Sequence, residues 1–294
     1  MAAREEGRDR DIREEGRLLI PRHWSKVTGS ADDPDGKRYA LRIWGWSADS
    51  VAEAATLARR RLADACARVA SGALRDEAYF YGKAPLREEI VRTVGGDAIV
   101  TRNRYGALVL NTARVPFIDV DTPASGSGSG GGLLRLFGGK QADPASAALD
   151  SVRAACGRFP RTSFRIYRTA AGFRLLVTDL LLDPASAQAQ ELLADFSADP
   201  FFVKLCRLQA SFRARLTPKP WRCGCTLPPG SFPREAATQI AFAKWLQEYE
   251  SAIRSRATCE LVETQGPGRT LPEVSEIVSE HDRACRVGEK APLA

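Results

Sequence analysis

Alternating apolar and polar residues near the start of the chain predict a strand followed by a helix. Residues 37–47 (KRYALRIWGWS) alternate in the way of a half-buried strand. Residues 51–69 repeat apolar positions at helical spacing, and Asp49 or Ser50 can cap the helix N-terminus. Residues 85–94 (PLREEIVRTV) begin with proline, which is tolerated in the first helical turn, so a short helix is predicted there.

Three short apolar segments in the middle of the chain predict a β-meander. They are residues 97–102, 106–111 and 115–121. The sequences NRYG and NTAR separate them, and segments of this composition favour tight turns. A helix is predicted to begin at Pro144, and residues 163–167 and 173–178 predict a hairpin around a glycine-containing connection.

The last part of the chain predicts mainly helices. Pro184 opens a helix after the hairpin, Pro200 opens a further segment, and residues 233–254 have the pattern of a long amphipathic helix. Thr270 and Glu273 fit a capping box for a final helix that runs toward His281. We expect that helix to pack rather than catalyse, and His281 to lie at the surface or in an interface.

Mixed strands and helices of this kind predict the α+β class. We divide the chain into a mobile charged arm (1–36), a strand–helix subdomain (37–96), a core (97–222) and a helical region (223–294). The core is interrupted at 124–142 by a Gly/Ser-rich insertion, which the repeat SGSGSGGG marks as flexible.

The charge of the chain favours a phosphate-bearing partner without proving one. The net charge is +7, from 43 Lys and Arg against 36 Asp and Glu, and most of the excess is arginine. Arginine binds phosphate with two parallel hydrogen bonds and stacks on bases. High-GC codon usage enriches Arg, Ala and Gly together and explains the same composition, so composition alone decides little.

The chain shows neither a membrane span nor a secretion signal. No stretch approaches the roughly 18 consecutive apolar residues that a membrane helix needs. Residues 1–17 are charged throughout and lack the apolar segment of a signal peptide. We therefore expect a cytoplasmic protein with no membrane partner.

The seven cysteines lack the spacing of a disulfide framework and fit a reducing compartment. Cys206 together with Cys223 and Cys225 could offer three thiolates to zinc. No Cys-x-x-Cys pair occurs, and both histidines, His23 and His281, lie far away in sequence. Buried free thiols that act as small hydrophobic groups are the favoured interpretation.

Asp119 and Asp121 end an unbroken apolar run and are the most informative pair in the chain. Residues i and i+2 of a strand share a face, so the two carboxylates would converge at the strand end and could hold a divalent cation against a phosphate. A strand end that opens a turn at Asp121 is the competing interpretation. Against it, Asp119 precedes Val120 inside the apolar run, where an unpaired carboxylate is costly.

A second chemical feature is the basic segment at residues 207–222 (RLQASFRARLTPKPWR). It combines Arg213, Arg215, Lys219 and Arg222 with Trp221. If the segment is extended, Arg213 and Arg215 share one face, and the cations beside a tryptophan can hold single-stranded nucleic acid or a nucleotide base. A solvated basic strand with Trp221 in the core is the alternative. Arg102 and Arg104 carry the same ambiguity.

The order of these features resembles the archaeo-eukaryotic primase superfamily, the primase-polymerases. That family has an RRM-like catalytic sheet with an Asp-x-Asp strand, a Gly-x-His strand that contacts the incoming nucleotide, and a third acid that completes a two-metal site. Residues 117–121 (FIDVD) match the first motif, and residues 169–174 (TAAGFR) stand where the second would fall. Arg174 occupies the position of the histidine. The resemblance covers roughly residues 97–222.

The resemblance implies an RRM-like, primase-palm sheet and a nucleotidyltransferase that uses Mg²⁺ or Mn²⁺. Asp119 and Asp121 would hold the metal, and Asp199 is the preferred third acid over Asp183 and Asp195. The remaining expected contacts with triphosphate, base or template are Arg174, Arg213, Arg215, Lys219, Arg222 and Trp221. The partners would be a nucleotide triphosphate and single-stranded or template nucleic acid. The alternative, favoured by the arginine at position 174, is a catalytically inactive relative that binds nucleic acid or nucleotide.

Overall fold

The computed structural model describes residues 18, 20–73, 85–122, 144–198 and 200–294. In these ranges the chain has an α+β fold, with antiparallel strands in three sheets and six α-helices. No helix within them is both long and apolar enough to cross a membrane. The predicted α+β class is confirmed, and the RRM-like palm stays a prediction. The predicted insertion at 124–142 lies outside the described residues.

The chain forms two compact units. Unit 1 contains the described residues between 20 and 90 and residues 231–235. Unit 2 contains residue 18, the described residues between 91 and 230, and residues 236–294. The boundary predicted at residue 222 is therefore wrong, because the C-terminal segment belongs to the same unit as the core.

In the described residues of unit 1, a two-stranded hairpin packs on one helix. Strand β1 (His23–Asp32) pairs antiparallel with β2 (Arg38–Ser47), and α1 (Val51–Ala70) follows. The predicted cap is confirmed, since the Oγ of Ser50 accepts a hydrogen bond from the backbone N–H of Glu53 at 3.2 Å. Strand β1 lies within the range predicted to be a mobile arm, so that prediction fails for residues 23–32.

The contact between β2 and α1 requires glycine at position 45. A Cβ on Gly45 would lie 2.2 Å from the carbonyl oxygen of Ala54 and 2.3 Å from the nitrogen of Ala58. Both alanines are fully buried, so small side chains on the helix and none on the strand allow the two backbones to approach closely. Any side chain at position 45 would push the helix away from the hairpin.

The first sheet of unit 2 has the strand order β3–β4–β5–β9. These strands are β3 (Glu89–Val94), β4 (Ala98–Arg102), β5 (Leu108–Thr112) and β9 (Phe212–Arg215). The helix predicted over 85–94 is wrong: its β-branched residues favour the strand β3, which gains a partner in β4. The hairpin of β4 and β5 is confirmed.

The second sheet has the order β10–β7–β8–β6 and carries the Asp-x-Asp motif. These strands are β6 (Phe117–Asp121), β7 (Phe164–Thr169), β8 (Gly172–Val177) and β10 (Cys259–Gln265). The hairpin of β7 and β8 is confirmed. The meander is wrong in its last step, because β6 leaves β5 and pairs with β8. Pro116 precedes β6 and has no N–H for a continued ladder.

Five helices complete the described part of unit 2. They are α2 (Pro144–Gly157), α3 (Ala187–Asp195), α4 (Pro200–Gln209), α5 (Ala236–Ala252) and α6 (Pro272–Cys285). The final helix begins after Leu271 without a side-chain cap, so the capping box at Thr270 and Glu273 is not formed. Strand β10 also shows that residues 223–294 are not purely helical.

Both sheets of unit 2 contribute to one apolar core. Leu110 of β5, Phe117 of β6, Leu175 of β8 and Phe212 of β9 are all fully buried in it. Helix α6 adds Val274, Ile277, His281 and Cys285 along one face, so the predicted surface or interfacial position of His281 is wrong. Strand β6, which carries Asp119 and Asp121, lies at an edge of its sheet.

Candidate functional site

Asp119 is bound by Arg174, which faces it across β6 and β8. The Nε of Arg174 donates to one carboxylate oxygen at 2.8 Å and an Nη group donates to the other at 3.2 Å. The remaining Nη donates to the carbonyl oxygen of Arg215 at 2.7 Å. Burial opposes the charge of this guanidinium, but the carboxylate of Asp119 outweighs it and raises the pKa of Arg174.

Arg174 therefore does not take the predicted role of a phosphate contact. Its side chain is 2% exposed, and its nitrogen atoms are used by Asp119 and by the Arg215 carbonyl. The side chain of Asp119 is 36% exposed, so solvent reaches the carboxylate of this pair but not the guanidinium. The arginine substitutes for the family's histidine in sequence position but acts here as an internal ion-pair partner.

The acids predicted to bind metal together with Asp119 do not gather around it in the described residues. Asp121 ends β6 and is exposed, opposite Gly172 of β8. Asp183 accepts a hydrogen bond from the N–H of Ala185 in the turn before α3, and Asp195 pairs with Arg158, which directly follows α2. Asp199 lies outside the described residues. Within the described residues, no group of three acidic side chains brings its oxygens together.

Three cations next to this edge form what we call the basic cluster: Arg215, Lys219 and Arg222. Burial lowers the pKa of Arg215, and the charges of Arg174 and Arg222 lower it further. Burial also lowers the pKa of Lys219, with repulsion from Arg215 and Arg222 adding to it and Asp121 opposing it. The three cations of the cluster therefore lie close enough together for their charges to repel one another.

Two guanidinium groups of the basic cluster have N–H donors without a partner in the described part of the chain. The Nε of Arg215 and an Nη of Arg222 are buried and find no hydrogen-bond acceptor among the described residues. Buried donors are normally paired, so unpaired ones need an explanation. A phosphate offers several oxygens with the geometry that a guanidinium fork binds best. The cluster therefore has the chemistry of an anion site.

Helix α5 fixes the segment that carries Lys219 and Arg222. The hydroxyl of Tyr249 donates to the carbonyl oxygen of Pro218 at 2.6 Å, and the indole N–H of Trp245 donates to that of Thr226 at 3.0 Å. Trp245 and Tyr249 stack at 5.0 Å between ring centroids. Between these two hydrogen bonds the chain makes a 3-10 turn at Pro220–Cys223. Lys219 lies at the start of this turn and Arg222 within it.

An aromatic pair, Tyr105 and Trp221, borders the basic cluster. The two rings meet edge to face at 5.4 Å, and Trp221 is 50% exposed. The Nζ of Lys219 lies 5.4 Å from the centroid of Trp221, and the guanidinium of Arg104 lies 4.6 Å from that of Tyr105. This geometry places Trp221 beside cations and excludes a core position for it, and its role as a platform for a base stays a prediction.

Arg213 and Arg215 share a face of β9, as the alternation of β9 predicts. They differ in their partners, because an Nη of Arg213 donates to the side-chain oxygen of Gln209 at 2.9 Å. Arg102 also has a partner within the protein, since it donates to the carbonyl oxygen of Gly106 at 2.9 Å. Of the arginines predicted for binding, Arg215 and Arg222 are therefore the two with buried unpaired donors.

A group of two cysteines and one histidine lies directly behind Arg174. Cys259 Sγ is 3.7 Å from an Nη of Arg174 and 3.9 Å from Nε2 of His281, and Cys285 completes the group. The predicted zinc alternative at Cys206, Cys223 and Cys225 does not form a group of this kind within the described residues. One sequence signal pointed to the observed group, since His281 and Cys285 are four residues apart on a helix.

Comparison with known proteins gives no relative for this chain. No protein-family model matches it, and no curated protein or solved structure is significantly similar to it. The primase resemblance therefore stays a prediction.

Proposed function

We propose that the protein binds single-stranded nucleic acid or a nucleotide, with phosphate on the basic cluster and a base on Trp221. The observation that carries the proposal is the pair of buried guanidinium donors on Arg215 and Arg222, which have no acceptor within the described ranges and lie next to a half-exposed tryptophan. Cations along a backbone path with an aromatic face beside them are the recurring elements of single-strand binding. This function corresponds to the alternative predicted from the sequence, a catalytically inactive protein that binds nucleic acid or nucleotide.

Nucleic-acid binding would explain why the basic cluster and the exposed Trp221 occur together. Phosphate oxygens would accept from Arg215 and Arg222 and relieve the repulsion that lowers the pKa of Arg215. The ring of Trp221 can stack on any base, because every base has a π face, so binding would depend weakly on sequence. The seven free thiols agree with the cytoplasm as the proposed compartment.

Fluorescence anisotropy with a labelled single-stranded oligonucleotide tests this proposal. Three cations on phosphate predict a slope of log affinity against log salt of roughly −2, at about −0.7 per neutralised phosphate. Replacement of Trp221 by alanine is expected to weaken binding about 5- to 150-fold, the cost of about 1–3 kcal/mol for one lost base stack.

The control for this variant is Ile240→Ala, because Ile240 is an apolar residue of unit 2 that is 75% exposed. It is expected to bind as the unmodified protein does. Equal affinity of the Trp221→Ala variant and the unmodified protein would exclude Trp221 as the platform. Absence of any salt-dependent binding would reject the proposal as a whole.

A second candidate function is the divalent-metal-dependent nucleotidyltransferase of primase-polymerase type. The observation in its favour is that Asp121 is exposed and Asp119 retains 36% exposure on the same strand, within electrostatic reach of the basic cluster. Carboxylate oxygens can bind Mg²⁺ or Mn²⁺ and still accept from arginine, because each carboxylate has about four lone-pair sites. Such metals would stabilise an in-line phosphoryl displacement.

Incorporation of labelled nucleotide in the presence of Mn²⁺ separates the two candidates. If the enzyme candidate is correct, Asp121→Asn abolishes incorporation while the oligonucleotide still binds. Asp64→Asn, which changes an exposed acid on α1, serves as the control and leaves incorporation unchanged. Binding without incorporation under all conditions selects the binding module.

A further inference from the structure

The cluster of Cys259, His281 and Cys285 has the composition of a soft metal site. The three ligand atoms lie within 4.8 Å of one another, and all three residues are buried. Cys259 begins β10, whereas His281 and Cys285 are on α6. A separation of four residues places their side chains on the same face of the helix. Thiolate and imidazole are the ligands that zinc takes in structural sites.

The orientation of His281 fits metal ligation. Its Nδ1 lies 3.0 Å from a carboxylate oxygen of Asp282, which directs the ring proton there and turns the Nε2 lone pair toward the sulfur atoms. Asp282 is itself held by the hydroxyl of Tyr167 at 2.8 Å and by Arg165 at 2.5 Å. A histidine ligand oriented through its other nitrogen by a carboxylate is the usual outer arrangement of zinc sites.

The aromatic surroundings prevent the ring from turning away. The ring of His281 lies 4.6 Å from that of Tyr167 and 5.5 Å from that of Phe117, measured between centroids. Tyr167 thus contacts the imidazole with its ring and holds the orienting carboxylate with its hydroxyl. A purely apolar role for His281 would not explain why three polar side chains are arranged around Asp282.

We propose that Cys259, His281 and Cys285 bind one structural zinc ion. Two thiolates and Zn²⁺ sum to zero charge, and the neighbouring pair of Arg174 and Asp119 is also neutral, so the metal site would add no net charge to the buried region. A water would fill the fourth position of a tetrahedral site. The carbonyl oxygen of Arg215, 3.9 Å from Cys285 Sγ, already accepts a hydrogen bond from Arg174.

The site would join β10 to α6 immediately behind the candidate functional site. An Nη of Arg174 lies 3.7 Å from Cys259 Sγ and 2.7 Å from the Arg215 carbonyl oxygen. The zinc would thereby fix the position of Arg174, and through it Asp119. It would not contact a phosphate bound by the basic cluster. This role is independent of whether the protein binds nucleic acid.

Metal analysis of the full-length protein, purified under reducing conditions with zinc present, tests the proposal. We expect close to one zinc per chain. X-ray absorption should show two sulfur neighbours at about 2.3 Å and a nitrogen neighbour at about 2.0–2.1 Å. Cobalt substitution should give thiolate charge-transfer bands and the intense visible bands of a tetrahedral site.

Cys285→Ser is expected to lose most of the zinc, whereas Cys206→Ser, which changes another buried core cysteine, should retain it. If Cys285→Ser fails to fold, the absorption and cobalt measurements on the unmodified protein decide. A folded protein without zinc, a metal shell without sulfur, or a disulfide between Cys259 and Cys285 found by mass spectrometry would each overturn the proposal.

Discussion

Replacement of Asp119 by asparagine is expected to lower the free energy of unfolding by about 3 kcal/mol, the lower end of the range for leaving a buried charge uncompensated. Arg174 is 2% exposed and uses both carboxylate oxygens of Asp119. Asparagine keeps the shape and one acceptor but removes the negative charge, so the guanidinium stays buried without compensation. Urea unfolding followed by circular dichroism measures the loss.

Asp121→Asn is the matched control because it makes the same change two residues along the same strand. Asp121 is exposed, so its replacement should change the free energy of unfolding by no more than about 0.5 kcal/mol. Combining Asp119→Leu with Arg174→Met removes both charges and should cost less than the sum of the single changes. Equal stability of Asp119→Asn and Asp121→Asn would contradict the structural role of the ion pair.

This experiment bears on function as well as on stability. If Asp119 were needed only to hold a metal, its loss would impair activity and leave folding intact. The geometry instead gives the two aspartates different tasks: Asp119 compensates a buried arginine, and Asp121 is the acid that solvent and ligands can reach. An activity assay on Asp119→Asn alone would mix the two effects, and Asp121→Asn is the cleaner probe of metal chemistry.

The sequence predicted those parts of the site that depend on local pattern. The strand that ends on Asp121, the hairpin of β7 and β8, and the shared face of Arg213 and Arg215 all follow from an alternation with period two. The exposed position of Trp221 was one of two alternatives, and composition could not choose between them. Strands, hairpins and the face that a side chain takes were therefore predictable where they depend on a single segment of the chain.

Features that depend on distant pairing were not predictable from one sequence. The pairing of β6 with β8 places Asp119 opposite Arg174, and this register turns an expected phosphate contact into an internal ion pair. The group of Cys259, His281 and Cys285 likewise forms because β10 reaches the second sheet beside α6. Alternation shows which face a residue takes but not which strand will lie next to it.

Simultaneous replacement of Arg215 and Arg222 by methionine is expected to weaken phosphate binding at least 100-fold. Each guanidinium would lose a charge-assisted hydrogen bond of about 1.5–3 kcal/mol, and about 1.4 kcal/mol corresponds to tenfold in affinity. The same change should leave the free energy of unfolding unchanged or raise it by about 0.5–2 kcal/mol. The reason is that burial and the charges of Arg174 and Arg222 disfavour the charged form of Arg215 in the folded protein.

The opposite signs of these two effects make the prediction specific. A residue that only supports the fold would lose stability and binding together, whereas a site that holds unpaired positive charge gives up stability for affinity. Arg213→Met is the control, because Arg213 lies on the same strand but already donates to Gln209. It should retain affinity within about fivefold, well below the effect of one lost charged contact. If the double replacement binds as tightly as the unmodified protein, the phosphate contacts lie elsewhere and the unpaired donors of Arg215 and Arg222 have another cause.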